Sequence, residues 1–379
     1  MNEIKYRLIV FLSIITRFIP IPVKTGLYKI GNPNRQSPVI LTGNYILTVA
    51  VVKRALKGID CFLLISNSRG INVWCAATGG HFTNHDIISS LKTTLVEEEV
   101  DHRDVILPQL AATGIMRTEI KKKTDWNIIW GPVDVKNIKP FLSNNFQAER
   151  ETRNVKFQLV QRVELALAWS IFLYVFLILV LFLIKAKYLM DLSILFFLVS
   201  LVIYVAMPIY LNNSIPLSEI QSLGAWMKRI GKQTLMVIPF VVIFILFAHQ
   251  YHETSTGYTL SVIILSLITI GIHNIDLLGM TPIFKGSLEN EGYEVIIDES
   301  KCRAAAYCET VCPRSCFVVD HEKKVATQPN SDLCVQCGAC IVQCPFDALY
   351  FENPKGEKIF PETTRKFKLN LMGKRSVKV

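Results

Sequence analysis

Charged residues are scarce in this 379-residue chain, at 19% against roughly 25% in an ordinary soluble domain. Half of it (51%) is apolar and the mean hydropathy is +0.35, so the deficit lies in long uncharged runs and a purely soluble protein is excluded. Several signatures of catalysis are also missing. The chain has no glycine-rich loop of the kind that cradles phosphate, no Ser–His–Asp grouping and no defensible pair of catalytic carboxylates. No cleavable leader is expected: the apolar start, Leu8 to Ile19, is broken by Arg17 and lacks a small-residue cleavage site. The net charge of +10 does not point to nucleic acid, because it gathers beside apolar runs and in a tail from Lys355 to Lys378. Basic clusters in such places set membrane orientation and meet anionic lipid.

Cysteine is concentrated: of ten, eight lie between Cys302 and Cys344. On a chain with no expected leader this indicates metal rather than disulfides, and a reducing compartment. Cys334-x2-Cys337-x2-Cys340-x3-Cys344-Pro345 has the spacing of a bacterial two-cluster ferredoxin, in which three thiolates hold one cubane and the fourth reaches its neighbour. Zinc pairs usually have longer spacers. The first half of the motif is incomplete: Cys302, Cys308, Cys312 and Pro313 are in register, but Ala305 stands where the second cysteine belongs. The crossed pattern gives Cys312, Cys334, Cys337 and Cys340 a [4Fe–4S] cluster. Cys302, Cys308 and Cys344 are left with three thiolates, suiting a [3Fe–4S] cluster or a [4Fe–4S] cluster with a non-cysteine fourth ligand. Cys316 is expected to pack near a cluster, and could replace the missing ligand only if its loop rearranged.

The expected architecture is multidomain. Residues 1–160 alternate short apolar strands (38–41, 61–65, 105–108, 127–130) with helices (47–56, 87–95, 115–123). That order implies an α/β, Rossmann-like, mostly parallel sheet with ligands beyond the carboxyl ends of its strands. Residues 161–280 form an α-helical transmembrane bundle with spans at 165–184, 192–211, 234–250 and 258–274. Pro208 and Pro239 kink two spans, residues 215–233 are too polar to span, and His249, His252 and His273 are interfacial. Residues 281–352 form an α+β two-cluster ferredoxin, followed by a basic tail, 353–379. Arg150, Arg153, Lys156 and Arg162 before span one, with Lys228, Arg229 and Lys232 before span three, place both ends on the cytoplasmic side. The lipid bilayer is then the first partner.

Cys61, inside an apolar strand, reads as core. Asn72-Val73-Trp74-Cys75 reads differently: Asn72 is an N-cap, Cys75 the third residue of the short helix it starts, and Gly79-Gly80 the stop. A first-turn thiol is a plausible metal-ligand platform, with a buried core cysteine as the competing reading. Here the chain resembles a known family. Thr42-Gly43-Asn44-Tyr45, Arg69-Gly70-Ile71-Asn72-Val73-Trp74-Cys75-Ala76-Ala77, Asp101-His102-Arg103 and Ile106-Leu107-Pro108-Gln109-Leu110 resemble the corrinoid protein of the mercury-methylation pair of bacteria and archaea. That family is related to the large subunit of the corrinoid iron–sulfur protein. The membrane block, ending in Asp276-Leu277-Leu278-Gly279-Met280-Thr281-Pro282, resembles its membrane domain, and the C-terminal segment its ferredoxin partner, so the chain resembles both proteins fused.

The resemblance implies a corrinoid whose cobalt takes Cys75 as lower axial ligand, with Asn72, Trp74, Thr42 and Asn44 beside the cofactor. It implies a methyl carrier or methyltransferase in the cytoplasmic membrane of a prokaryote, with a ferredoxin returning Co(II) to Co(I). Its partners are a methyl-donor protein or methylated pterin and an upstream electron donor. The usual histidine alternative, Asp-x-His-x-x-Gly, is absent among seven histidines. Two departures from the family pattern are Thr78-Gly79 in place of Gly-Lys and the lack of any cysteine after Cys344. The expectation is therefore corrinoid methyl transfer rather than mercury methylation specifically. The rival reading is a membrane iron–sulfur electron-transfer protein without corrinoid.

Overall fold

The computed structural model describes residues 3–17, 19–156, 158–183, 188–211, 223–251, 255–277 and 293–366. Its contacts divide the chain into two units. One holds residues 1–10, 19–155 and 279–379, the other 11–18 and 156–278. The α/β part and the cysteine-rich part, expected as separate domains, thus share one compact unit.

In the first unit, helix α1 (Glu3–Ile15) and strand β1 (Gly26–Ile30) precede an alternation of β2 (Val39–Gly43), α2 (Ile46–Ala55), β3 (Cys61–Ser66), α3 (Val73–Thr78), α4 (Asn84–Thr93) and α5 (Val96–Glu99). It continues through β4 (Asp104–Leu107), α6 (Arg117–Thr124), β5 (Asn127–Trp130) and α7 (Ile138–Ser143). The sheet order is β1-β3-β2-β4-β5. Strands β2 to β5 are parallel, as expected; β1 runs antiparallel to β3, with Gly26 opposite Ile65. Polar Lys29 and the flanking glycines hid β1 from a reading by apolar runs.

All five residues of β2 are buried because side chains alternate between two covered faces. Val39 and Leu41 join Phe62, Leu64, Val105 and Leu107 in one core, and Ile40 joins Leu63, Ile65 and Ile106 in the other. Full burial of each such side chain contributes about 1.5–3 kcal/mol. From β2 the chain adds strands first on one side and then on the other, so order reverses between β2 and β4. Their carboxyl ends, Gly43-Asn44 and Leu107-Pro108, form the switch point where doubly wound sheets bind ligands.

The same unit includes β6 (Glu294–Ile297), α13 (Tyr307–Val311), the β7–β8 hairpin (Val318–Asp320, Val325–Thr327), α14 (Ala339–Gln343), β9 (Leu349–Glu352), β10 (Lys358–Ile359) and α15 (Pro361–Lys366). The expected tail is partly folded: β10 pairs with β9, and Arg365 on α15 donates to the Cys344 carbonyl at 2.8 Å. Residues 281–292 and 367–379, and the resembling stretch Leu278–Pro282, lie outside the described residues.

The second unit is helical: α8 (Leu159–Leu183), α9 (Leu189–Val205), α10 (Met207–Leu211), α11 (Leu223–Tyr251) and α12 (Thr256–Leu277). Three helices, at 159–183, 231–250 and 256–273, are long and apolar enough to cross a membrane. The expected second span is broken. Pro208, the second residue of α10, lacks the N–H that would donate to the Tyr204 carbonyl, and α9 stops at 17 residues, about 26 Å. Pro239, by contrast, sits inside an unbroken α11. Of the polar segment before span three, expected as a surface loop or an interfacial helix, residues 223–233 are helical and continue into α11; residues 215–222 lie outside the described ones. His273 packs inside the helical unit. It is fully buried, with Nε2 2.7 Å from Ser200 Oγ on α9.

Gly114 follows β4 where backbones meet: a Cβ there would lie 2.7 Å from the Phe82 carbonyl oxygen and 2.9 Å from Ala77 Cα in α3. Gly114→Ala is expected to cost about 1–3 kcal/mol by overpacking, read as a lowered thermal-unfolding midpoint in detergent. Gly231→Ala, whose Cβ would meet nothing within 4 Å, should leave the midpoint unchanged or raise it.

Candidate metal and cofactor sites

Helix α3 stands beyond the carboxyl end of β3 on a tightly specified loop. Asn44, at the end of β2, is buried, and its Oδ1 accepts from Ser68 N (2.9 Å), Ser68 Oγ (3.2 Å) and Gly70 N (2.9 Å). Its Nδ2 donates to the Val23 carbonyl. Gly70 has φ +69, and a Cβ there would lie 2.6 Å from Pro22 N, so only glycine fits. The loop delivers Asn72 as the N-cap, its Oδ1 accepting from Cys75 N at 2.9 Å. Asn72 Nδ2 donates to Cys75 Sγ at 3.2 Å. The capping geometry and the third-residue position of Cys75 match the sequence expectation.

Of the expected cofactor contacts, Asn44 has its side chain engaged in the loop, where it acts as a positioning residue. Thr42 and Trp74 differ. Both are buried, and Thr42 Oγ1 and Trp74 Nε1 lack a hydrogen-bond partner. Orphaned buried polar atoms on β2 and α3, beside a half-buried thiol at the switch point, suit a polar cofactor that would complete them. Cys61 is fully buried in β3, and burial pushes its thiol up to about 12, as a core cysteine requires.

The remaining eight cysteines line two cavities. One, of about 290 Å³, is walled by Cys312, Cys316, Cys334, Cys337 and Cys340. The other, of about 360 Å³ with its mouth, is walled by Cys302, Cys308, Cys344 and Ala305. The partition is the one the crossed ligand pattern predicts. Among the described residues no group of three or more His, Cys, Asp or Glu is gathered as a single metal ion would need. The thiols instead gather around two separate cavities.

The two loops are conformational copies. Gln336 and Gly338 flank Cys337 with φ +57 and +71, and Ala304 and Ala306 flank Ala305 with φ +53 and +60. Left-handed alanines are strained, so the first loop keeps a ligand-loop shape around a position without a thiol. Backbone N–H groups point at sulfur in both halves: Cys316 N to Cys312 Sγ (3.3 Å) and Ala348 N to Cys344 Sγ (3.4 Å). Cys316 is therefore the counterpart of Ala348. Its thiol lies in the cavity that already has four cysteines and cannot fill the vacancy at Ala305.

Burial pushes the Cys308 thiol up to about 12 and raises Cys337 and Cys340 as well. Thiolates form there when positive charge is bound against them. Cys312 is drawn down to about 7, chiefly by a hydrogen bond from the Cys316 side chain.

Sequence patterns gave no sign of how the cysteine-rich part joins the sheet. Gln343 is buried and donates from Nε2 to the carbonyls of Ala112 (2.8 Å) and Ile115. Arg153 donates to the Thr310 carbonyl at 3.0 Å, Val155 N to the Pro313 carbonyl at 2.9 Å, and the Arg117 guanidinium lies 3.8 Å from the Tyr307 ring centroid. Ala339, Val311 and Cys337 pack in the same core as Ala76, Ala77, Ala111 and Ala112.

Comparison with known proteins separates the same two parts. Residues 13–142 match the family model described as the CO dehydrogenase/acetyl-CoA synthase delta subunit, and residues 327–350 match a 4Fe-4S binding domain. Relatives include the acetyl-CoA decarbonylase/synthase complex subunit gamma of Archaeoglobus fulgidus, 35% identical over 129 residues, 34% of this chain and 27% of that protein. The same-named protein of Methanocaldococcus jannaschii is 36% identical over 129 residues, 34% of this chain and 26% of that one. The chain thus spans about a quarter of the length of these curated relatives. It is a multidomain protein with an α/β domain similar to theirs, helices that could span a membrane and a 4Fe-4S domain.

Asn72→Ala removes a cap worth about 1 kcal/mol and the amide donor to Cys75 sulfur; slower alkylation of Cys75 by iodoacetamide is the expected readout. Ala305→Cys is expected to add about one iron per chain and abolish the EPR signal of an oxidised three-iron cluster. Unchanged iron and spectra would mean that a non-cysteine ligand already completes that cluster.

Proposed function

We propose that this chain is a membrane-anchored, corrinoid-dependent methyl carrier or methyltransferase with a fused ferredoxin that reduces cobalt to Co(I). One observation carries the reading. The helix presenting Cys75 and the loop presenting Cys337 share a hydrophobic core within one compact unit, through Ala76, Ala77 and Ala339. Electron tunnelling falls steeply with distance, so such packing suits reduction of a group held at Cys75.

The residues take these roles. A corrinoid, when bound, would supply a cobalt that accepts and passes on a methyl group, and iron–sulfur clusters would supply single electrons to it. Cys75, whose sulfur accepts from the Asn72 amide, would hold the cobalt of a corrinoid through its soft thiolate, and that group would supply the methyl-transfer chemistry. Thr42 Oγ1 and Trp74 Nε1, buried without a hydrogen-bond partner, would pair with polar groups of the cofactor. Asn44, Ser68 and Gly70 fix the loop. Cys312, Cys334, Cys337 and Cys340 hold a [4Fe–4S] cluster; Cys302, Cys308 and Cys344 hold a [3Fe–4S] or atypical [4Fe–4S] cluster.

Basic residues at 150–162 and 228–232 support a multi-pass protein of the cytoplasmic membrane with both soluble parts inside, which requires residues 189–211 to cross as well despite the break at 206. The names of the matched relatives, as subunits of an acetyl-CoA decarbonylase/synthase complex, support protein partners; the methyl donor is a protein of that kind or a methylated pterin. The acceptor is an electrophile; mercury is one candidate, although no cysteine follows Cys344 to deliver it.

The test is metal analysis with a visible spectrum on anaerobically purified protein reconstituted with a corrinoid. About one cobalt per chain is expected for one axial thiolate, with corrinoid bands that change in Cys75→Ala. Iron without cobalt in both proteins overturns the corrinoid reading in favour of a membrane iron–sulfur electron-transfer protein.

A further inference from the structure

Helix α1 carries its apolar residues outward. Ile4 is 79% exposed, Leu8 54%, Phe11 60%, Leu12 46% and Ile15 43%. At 100° per residue these five fall within one stripe about 100° wide. The opposite face is docked. Ser13 is buried, the Arg54 guanidinium lies 4.2 Å from the Tyr6 ring centroid, and Arg54 pairs with Glu3 at 3.1 Å. The stripe is thus not the helix's attachment to its own protein.

The covering phase must be apolar, and its edge must tolerate cations, since Lys5 and Arg7 border the stripe and are exposed. Thirteen residues span about 20 Å, too short for a hydrocarbon core of about 30 Å. The last turn is continuous with the helical unit: residues 11–18 group with the three membrane-length helices, and Arg17 pairs with Glu164 at the start of α8 at 3.1 Å. A length too short to span, one exposed apolar stripe and flanking cations describe a helix lying in a membrane interface.

We propose that α1 is an in-plane membrane anchor. Ile4, Leu8, Phe11, Leu12 and Ile15 enter the acyl boundary of the bilayer that the long helices cross, and Lys5 and Arg7 meet anionic headgroups. This rests on the membrane reading above and extends it to a segment too short to count as a span.

The test uses the full-length protein in nanodiscs of phosphatidylcholine with phosphatidylglycerol. A photoreactive benzoylphenylalanine replaces Leu8 or Phe11, with exposed Lys122 on α6 as the control position. Lipid adducts at positions 8 and 11, and none at 122, are the expected result. The combined charge reversal Lys5→Glu and Arg7→Glu should lower adduct yield in phosphatidylglycerol-containing discs. No lipid adduct at either position in disc-embedded protein, or crosslinks to a second copy instead, overturns the proposal while leaving the membrane reading intact. Failure of the unsubstituted protein to enter discs overturns both.

Discussion

The side chain of Asn44 is the contact on which the α/β part of this molecule depends. One amide oxygen takes three hydrogen bonds from the 68–70 segment, at 2.9, 3.2 and 2.9 Å, and so ties the end of β2 to the loop leaving β3. A buried carbonyl so fully satisfied replaces water with donors fixed by the backbone, and losing it would strand several polar groups at once. The loop's path decides where Asn72 lies. Asn72 in turn starts α3 and holds the Cys75 sulfur. The candidate ligand is therefore positioned by a chain of short-range contacts beginning at the end of the fully buried central strand.

The cysteine-rich half shows a second economy: one loop conformation used twice. Left-handed backbone at 304 and 306 repeats that at 336 and 338, although the first pair are alanines, for which that region is unfavourable. The strain persists because Cys302 and Cys308 still wall the cavity that the loop encloses. A thiol is absent at 305 and an extra one is present at 316, yet the two do not compensate, because the pseudo-twofold relation sends Cys316 to the other cavity. The asymmetry between the cavities is built into side chains alone.

Strand periodicity made the four parallel strands legible, because a strand covered on both faces reads as a near-continuous apolar run, as in Cys61 to Ile65. The cysteine partition was legible because ligand spacing is a local property. The β1 edge strand was not, since its pattern is neither continuous nor alternating, and its pairing with β3 is a contact between distant segments. The break after α9 falls beside Pro208, whereas Pro239 sits inside an unbroken helix, and composition alone does not distinguish the two. His273 was placed at an interface by its position near a span end; its burial against Ser200 follows from the rotation of two helices about their axes, which hydropathy does not encode.

By itself the sequence determined the chemistry on offer: which thiols exist, how they are spaced, which segments must leave water and which asparagine caps which helix. These follow from covalent spacing and from transfer free energies that each segment carries wherever it goes. Only the tertiary structure decided that Asn44 serves the loop, that Cys316 serves the full cavity and not the deficient one, and that Gln343 binds the turn after β4. Each of those depends on hydrogen bonds or packing between residues far apart in the chain. Such contacts are set by which groups remain unsatisfied after the strands and helices have formed.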